Sequence, residues 1–249
     1  MRSTTDRSHR ELPRTDDLRH PARLMLHGLR PAFAAVARQR WDIVQRNSER
    51  VPAAGPVVLV ANHIGFVDGP LMAIVGPRPV HALTKSELFA GPLGAFLVGA
   101  GQIPVTREQI DPRAIRTAIR VLRDGGVAGM FPERTRGDGE MRTAQRGAAY
   151  IAMATGATIV PLAFLGTRLA GSTSSFPPAG SPIVLTYGEP IPVEKQGWPR
   201  RQVDVRALTE TLRQAIISTV QEAEQATGIS LPGPIPSGAN NEQNSQETP

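Results

Sequence analysis

The stretch VLVANHIGFVDGP, residues 58–70, puts a histidine at the end of an apolar run and a carboxylate five positions later. Gly69-Pro70 signals a helix starting near Asp68, whose first turn can bring the carboxylate back onto the imidazole of His63. A carboxylate accepting from one ring nitrogen fixes the tautomer and leaves the other nitrogen as a base. Such a dyad takes a proton from a substrate hydroxyl and returns it to a leaving group. It has no nucleophile of its own. Asp68 is equally placed to cap the helix behind it, and one side chain can do both.

Other segments offer positive charge. Arg107 closes the run QIPVTR, and FPERTR places Glu133, Thr135 and Arg136 just after another apolar run. Forked guanidinium groups suit phosphate. What is missing narrows the chemistry. The chain has no Cys, which excludes disulfides, thiolate metal sites and a cysteine nucleophile. It has no G-x-x-x-x-G-K-[ST] loop, no G-x-G-x-x-G opening a helix and no G-x-S-x-G elbow. No residues have metal-ligand spacing, so no metal is expected.

The elements that must position these groups alternate. PVVLVAN (56–62) is continuously apolar, as in a strand covered on both faces of a parallel sheet. VHALT (80–84), QIPVTR (102–107), VAGMF (127–131), TIVPLAF (158–164) and PIVLTYGEPI (182–191) read as further strands. Helices are predicted from Asp68 or Gly69, over Ser86–Gly99, from Pro112 with Asp111 as cap, over about 145–155 and over about 203–226. The fold class is α/β: a single domain with a mostly parallel mixed sheet flanked by helices and right-handed crossovers. Ligands bind such sheets at the carboxyl ends of the strands. That rule gathers residues 62–68, Thr106-Arg107, residues 132–136 and the Gly166-Thr167-Arg168 turn along one edge.

Outside the sheet, residues 1–15 are polar and predicted disordered. Residues 16–50 form a basic amphipathic helical segment, with Leu24, Leu26, Leu29, Phe33, Val36 and Trp41 among arginines and a kink or split at Pro31. Residues 51–228 make the main domain, and 229–249, rich in Pro, Gly and Asn, a disordered tail. Leu88–Val105 carries no charge, but its glycines and two prolines favour a buried helix, a glycine turn and a short strand over a membrane span. The formal net charge is +6, and Lys85 and Lys195 are the only lysines. Arginine excess suits nucleic acid, an anionic membrane or anionic small molecules. Interleaved aromatics and nucleic-acid motifs are missing, so nucleic acid is not an expected partner. The charged N-terminus lacks a signal-peptide apolar stretch, which predicts a cytoplasmic chain. The basic helix can lie in a membrane interface or pack on the domain.

Four blocks taken in order, NHIGFVD (62–68), GQIPVTR (101–107), FPERTR (131–136) and VPLAFLG (160–166), resemble the glycerolipid acyltransferases typified by 1-acylglycerol-3-phosphate acyltransferase. KSELF (85–89) adds to the likeness. The resemblance implies His63 as the base for the acceptor hydroxyl and Asp68 as its orienter. It implies Arg107, Glu133, Thr135 and Arg136 around the acceptor's phosphate, and the fourth block on the acyl-donor side. Acyl-CoA or acyl carrier protein would supply the thioester as co-substrate, with no cofactor. The acceptor would be a lysophospholipid at the cytoplasmic face of a membrane, reached by peripheral association, in phospholipid synthesis. One position departs from the pattern: Arg134 stands where the family's third block has glycine. Glycerol-3-phosphate or a glycolipid as acceptor, and a non-catalytic lipid-binding relative, are the alternatives.

Overall fold

The computed structural model describes residues 12–106, 110–133, 136–172 and 176–236. Seven strands form one sheet: β1 (Asp42–Arg46), β2 (Val57–Ala61), β3 (Val80–Lys85), β4 (Ile103–Val105), β5 (Val127–Met130), β6 (Thr158–Leu165) and β7 (Pro182–Tyr187). Their order is β1-β7-β6-β2-β5-β3-β4. Every neighbouring pair runs parallel except β6 with β7, so the expected mostly parallel mixed sheet is the fold. Period-two burial explains β2, the central strand. Val58 and Val60 face one apolar cluster, while Val57, Leu59 and Ala61 face the other. All five are buried, as a parallel strand covered on both faces requires.

Helices cover both faces. On one lie α5 (Pro112–Arg123), α6 (Gly147–Thr155) and the long α7 (Gln202–Thr227), which presses Val205, Leu212, Ile216 and Val220 into the core. The other face carries α2 (Arg30–Arg40) and α3 (Asp68–Ile74). Asp111 caps α5: one carboxylate oxygen accepts from Ala114 N at 2.9 Å and the other from Thr106 N at 3.1 Å, tying the helix to the end of β4. Because β2, β3, β4, β5 and β6 run the same way, the segments that follow them meet at one edge of the sheet.

Four expectations change. The segment 16–50 is not helical throughout, because residues 42–46 form β1, paired in parallel with β7 at the sheet edge. Upstream, Pro31 does split the helix, into α1 (Leu24–Gly28) and α2. The presumed helix over 86–99 is two pieces, a 3-10 turn (Ser86–Phe89) and α4 (Gly91–Gly99), with Ala90 extended between them; Pro92 lacks the N–H that would continue the first piece. Moreover α4 is not buried. Leu93, Phe96 and Val98 are exposed and only Gly94 is covered, and the neighbours of α4 are the 3-10 turn before it and α1. Finally, order extends into both ends. Leu12 O accepts from Arg200, Arg14 O from Arg116, and Thr15 is buried. Residues 229–236 also pack back on the domain, with Leu231 N donating to Glu224 at 2.8 Å and Pro232 buried. Among the described residues no helix is long and apolar enough to cross a membrane.

Candidate active site

The loop after β2 carries the dyad. His63 Nδ1 donates to Asp68 Oδ2 at 2.9 Å. The same oxygen accepts from Ile64 N and Gly65 N, each at 2.8 Å. The carboxylate therefore turns backward onto its own loop and makes no cap bond to α3, whose N-cap, Val67, has no side-chain partner. Of the two roles open in the sequence, only the one toward His63 is realised. Asp68 is fully buried and His63 nearly so. With Nδ1–H held by the carboxylate, Nε2 is the nitrogen left for a substrate.

The loop is clamped from three sides. Asn62, ahead of the histidine, pairs with the backbone of Phe164 on β6 through both ends of its amide, at 3.0 and 2.8 Å. Gly65 lies so close to the turn after β6 that an added Cβ would stand 2.5 Å from Thr167 O, so only glycine fits there. From the loop after β5, Glu133 accepts from His63 N at 3.3 Å and Gly137 N donates to His63 O at 2.9 Å. The Phe131 ring stacks on the imidazole at 4.1 Å.

Burial pushes the Glu133 carboxyl up to about 7, with Asp138 and Asp68 adding to the rise and the bond from His63 N opposing it. Near neutral pH it therefore holds its proton about half of the time. The Arg136 guanidinium lies 5.9 Å over the Phe66 ring, at the exposed lip of the His63 loop. Phe131 also belongs to the wall of a largely apolar cavity of about 800 Å³, lined by Leu83, Val105, Ile115, Met130, Tyr150 and Val205 among others. The cavity thus begins beside the ring that stacks on His63.

Of the residues singled out from sequence, His63, Asp68, Glu133 and Arg136 are brought together at this edge. Arg107 and Thr135, with Arg134, lie outside the described residues. Asn62, Phe131 and Arg168 were given no site role. An amide ending a buried strand must find partners, a usable signal for Asn62. For Arg168 the strand-end rule places the turn at this edge, but nothing local shows that the side chain is buried there.

A mostly parallel sheet with a His/Asp dyad at its strand ends, next to an apolar cavity, is the arrangement of an enzyme that takes a proton from a hydroxyl beside an apolar substrate. The comparisons name it. The Acyltransferase family matches residues 42–165, which span β1 to β6 and the whole dyad loop. A 1-acyl-sn-glycerol-3-phosphate acyltransferase of Bacillus subtilis (strain 168) is 29% identical over 202 residues, covering 78% of this chain and 96% of its own. The Borreliella burgdorferi protein of the same name is 32% identical over 130 residues, 51% of this chain and 52% of its own. The crystal structure of the Thermotoga maritima 1-acyl-sn-glycerophosphate acyltransferase, PlsC, superimposes with a TM-score of 0.62 at 23% identity, covering 80% and 79% of the two chains, which shows the shared fold. The chain belongs to the glycerolipid acyltransferase family and is an acyltransferase.

Proposed function

We propose that this enzyme transfers a fatty acyl group from a thioester, acyl-CoA or acyl carrier protein, to the free hydroxyl of 1-acylglycerol-3-phosphate, giving phosphatidic acid. The observation that carries the reading is the His63–Asp68 bond of 2.9 Å beside the apolar cavity. The name of the Bacillus subtilis relative, matched over 96% of its own length, supports the acceptor. His63 Nε2 takes the hydroxyl proton as the oxygen attacks the thioester carbonyl. The tetrahedral intermediate collapses, the C–S bond breaks, and the imidazolium returns its proton to the departing thiolate. Asp68 holds the ring in register and stabilises the transient charge. No acyl-enzyme is required, in keeping with a chain that has neither cysteine nor a serine elbow. A thioester is already activated, so positioning two substrates supplies most of the remaining task.

The acyl chain lies in the cavity past Phe131, whose volume falls in the usual range of about 300–1,000 Å³ for small-molecule sites. Arg136, and Arg107 by sequence, serve the acceptor phosphate. The acceptor resides in a bilayer, and peripheral docking on its cytoplasmic face is the route to it. Leu29, Phe33 and Val36 recur on one face of α1–α2 and stay exposed, as do Leu93, Phe96 and Val98 of α4. The Phe33 and Phe96 rings meet edge to face at 5.6 Å, which joins the two helices into one apolar surface. Arg23, Arg38 and Arg40 accompany it, the composition of an interfacial helix. The test is a panel of acceptors offered with one labelled acyl-CoA, with products read by mass spectrometry. Labelled phosphatidic acid from lysophosphatidate is expected. Product only from glycerol-3-phosphate or a glycolipid would move the assignment to that acceptor.

A further inference from the structure

Arg168 stands in the turn after β6, 2% exposed, and no acid among the described residues lies within ion-pair distance of it. Its guanidinium instead donates to four backbone carbonyls. Nε reaches Ile64 O at 3.1 Å, Nη1 reaches Ser172 O at 3.3 Å, and Nη2 reaches Gly137 O at 3.1 Å and Gly233 O at 2.6 Å. Those acceptors belong to four separate segments: the His63 loop, the turn after β6, the loop after β5 and the chain end after α7. Two of them touch the dyad directly. Ile64 follows His63 and gives its own N–H to Asp68, while Gly137 gives its N–H to His63 O.

A buried cation hydrogen-bonded to backbone carbonyls is costly, since burial disfavours the charge, and the nearby Asp138 and Asp68 offset part of that cost. A planar fork can nevertheless fix several strands of chain in one plane, which no other side chain does. From this placement we infer that Arg168 is a positioning residue: it sets the angle of the His63 loop and couples the 229–236 segment to the dyad. The inference rests on His63 being the base.

Lysine at 168 keeps the charge but offers three donors from one point, so it cannot serve four carbonyls in a plane. Arg168→Lys in the full chain is assayed with labelled acyl-CoA and lysophosphatidate. The expected result is a fall in kcat of about tenfold or more, the scale of a small misplacement of reacting groups, with both KM values within about twofold. In a His63→Ala background the same substitution should change the residual rate little, because its effect passes through the histidine. The amides of Ile64, Gly65 and Gly137 should exchange faster in Arg168→Lys than in the parent.

A second variant spares the core. Gly233 sits at φ +71 with open space where a Cβ would go, so Gly233→Ala should fold while turning the carbonyl that Arg168 holds at 2.6 Å. A loss of about threefold or more in kcat is expected from a part of this displacement. Parental kcat in Gly233→Ala and in folded Arg168→Lys would overturn the inference, as would an equal loss in the His63→Ala background or a loss carried by KM. Should Arg168→Lys not fold, Gly233→Ala decides alone. Full turnover by His63→Ala would instead remove the histidine as base, a separate failure of the reading beneath.

Discussion

In the proposed reaction His63 and Asp68 serve one proton transfer unequally. The ring carries the proton; the carboxylate, bound at once to Nδ1 and two backbone amides through one oxygen, holds ring and loop together. His63→Ala should therefore lower kcat by about 10²- to 10⁴-fold with the fold intact. Asp68→Asn should also be severe, but less so, since an imidazole remains. Near-parental turnover by a folded His63→Ala protein would sink the assignment. Glu133 yields a prediction about pH. Its carboxyl has an ordinary value of 4.5 and sits at about 7 in the folded chain, so the native state holds the proton more tightly than the unfolded one. That contribution to stability is complete below about 4.5 and disappears as pH rises through about 7. Glu133→Gln stays neutral and keeps an acceptor for His63 N. It should match the parent in urea melts at pH 4 and exceed it at pH 8, by something on the order of 2 kcal/mol. Curves that stay parallel across this range would refute the buried protonated carboxyl.

At the scale of elements, the site depends on two loops pressed together at the ends of β2 and β6. Gly65 is where they touch, and the atom an added Cβ would meet is backbone, which cannot swing aside. Gly65→Ala should cost about 1–3 kcal/mol and depress kcat together with Tm. Gly69→Ala, one position past Asp68 in the first turn of α3, meets nothing within 4 Å. It should be neutral or slightly stabilising, by up to about 1 kcal/mol. Equal behaviour of the two variants in calorimetry would show that loop contact is not the constraint. β1, an edge strand of the sheet, and α4, packed on the 3-10 turn and α1, differ in chemistry. β1 carries Asp42, Gln45 and Arg46 among its five residues, whereas α4 leaves Leu93, Phe96 and Val98 uncovered.

Over the whole molecule, that uncovered face joins the exposed side of α1–α2 on a chain of net charge +6. Burying an aromatic side chain contributes about 2 kcal/mol, and each basic group near an anionic surface about 1 kcal/mol, screened by salt. Phe33→Glu with Phe96→Glu is expected to cut co-sedimentation with vesicles containing anionic phospholipid more than tenfold. Added salt should weaken the parent's binding by a smaller factor. The same double variant should keep its turnover on short-chain substrates dispersed in solution, since neither ring belongs to the cavity wall or the dyad. Vesicle binding that ignores both the substitutions and salt would place the membrane contact elsewhere on the protein.

Local pattern determined much of this. The unbroken apolar run 57–61 reads as a strand covered on both faces of a sheet, and Asp111-Pro112 is a helix start by its own chemistry, so the succession of strands and helices and the edge where residues 62–68 and 132–136 meet were legible. The five-residue spacing of His63 and Asp68 was legible as well, because it closes within a single loop. Contacts between segments far apart in sequence were not. Nothing local distinguishes Arg168 from a solvated arginine, marks residues 42–46 as an edge strand without a neighbour to pair with, or shows that the uncharged stretch around α4 stays uncovered. Those outcomes depend on which backbone carbonyls, partner strand or empty margin the rest of the chain brings alongside, and only the tertiary structure decides that.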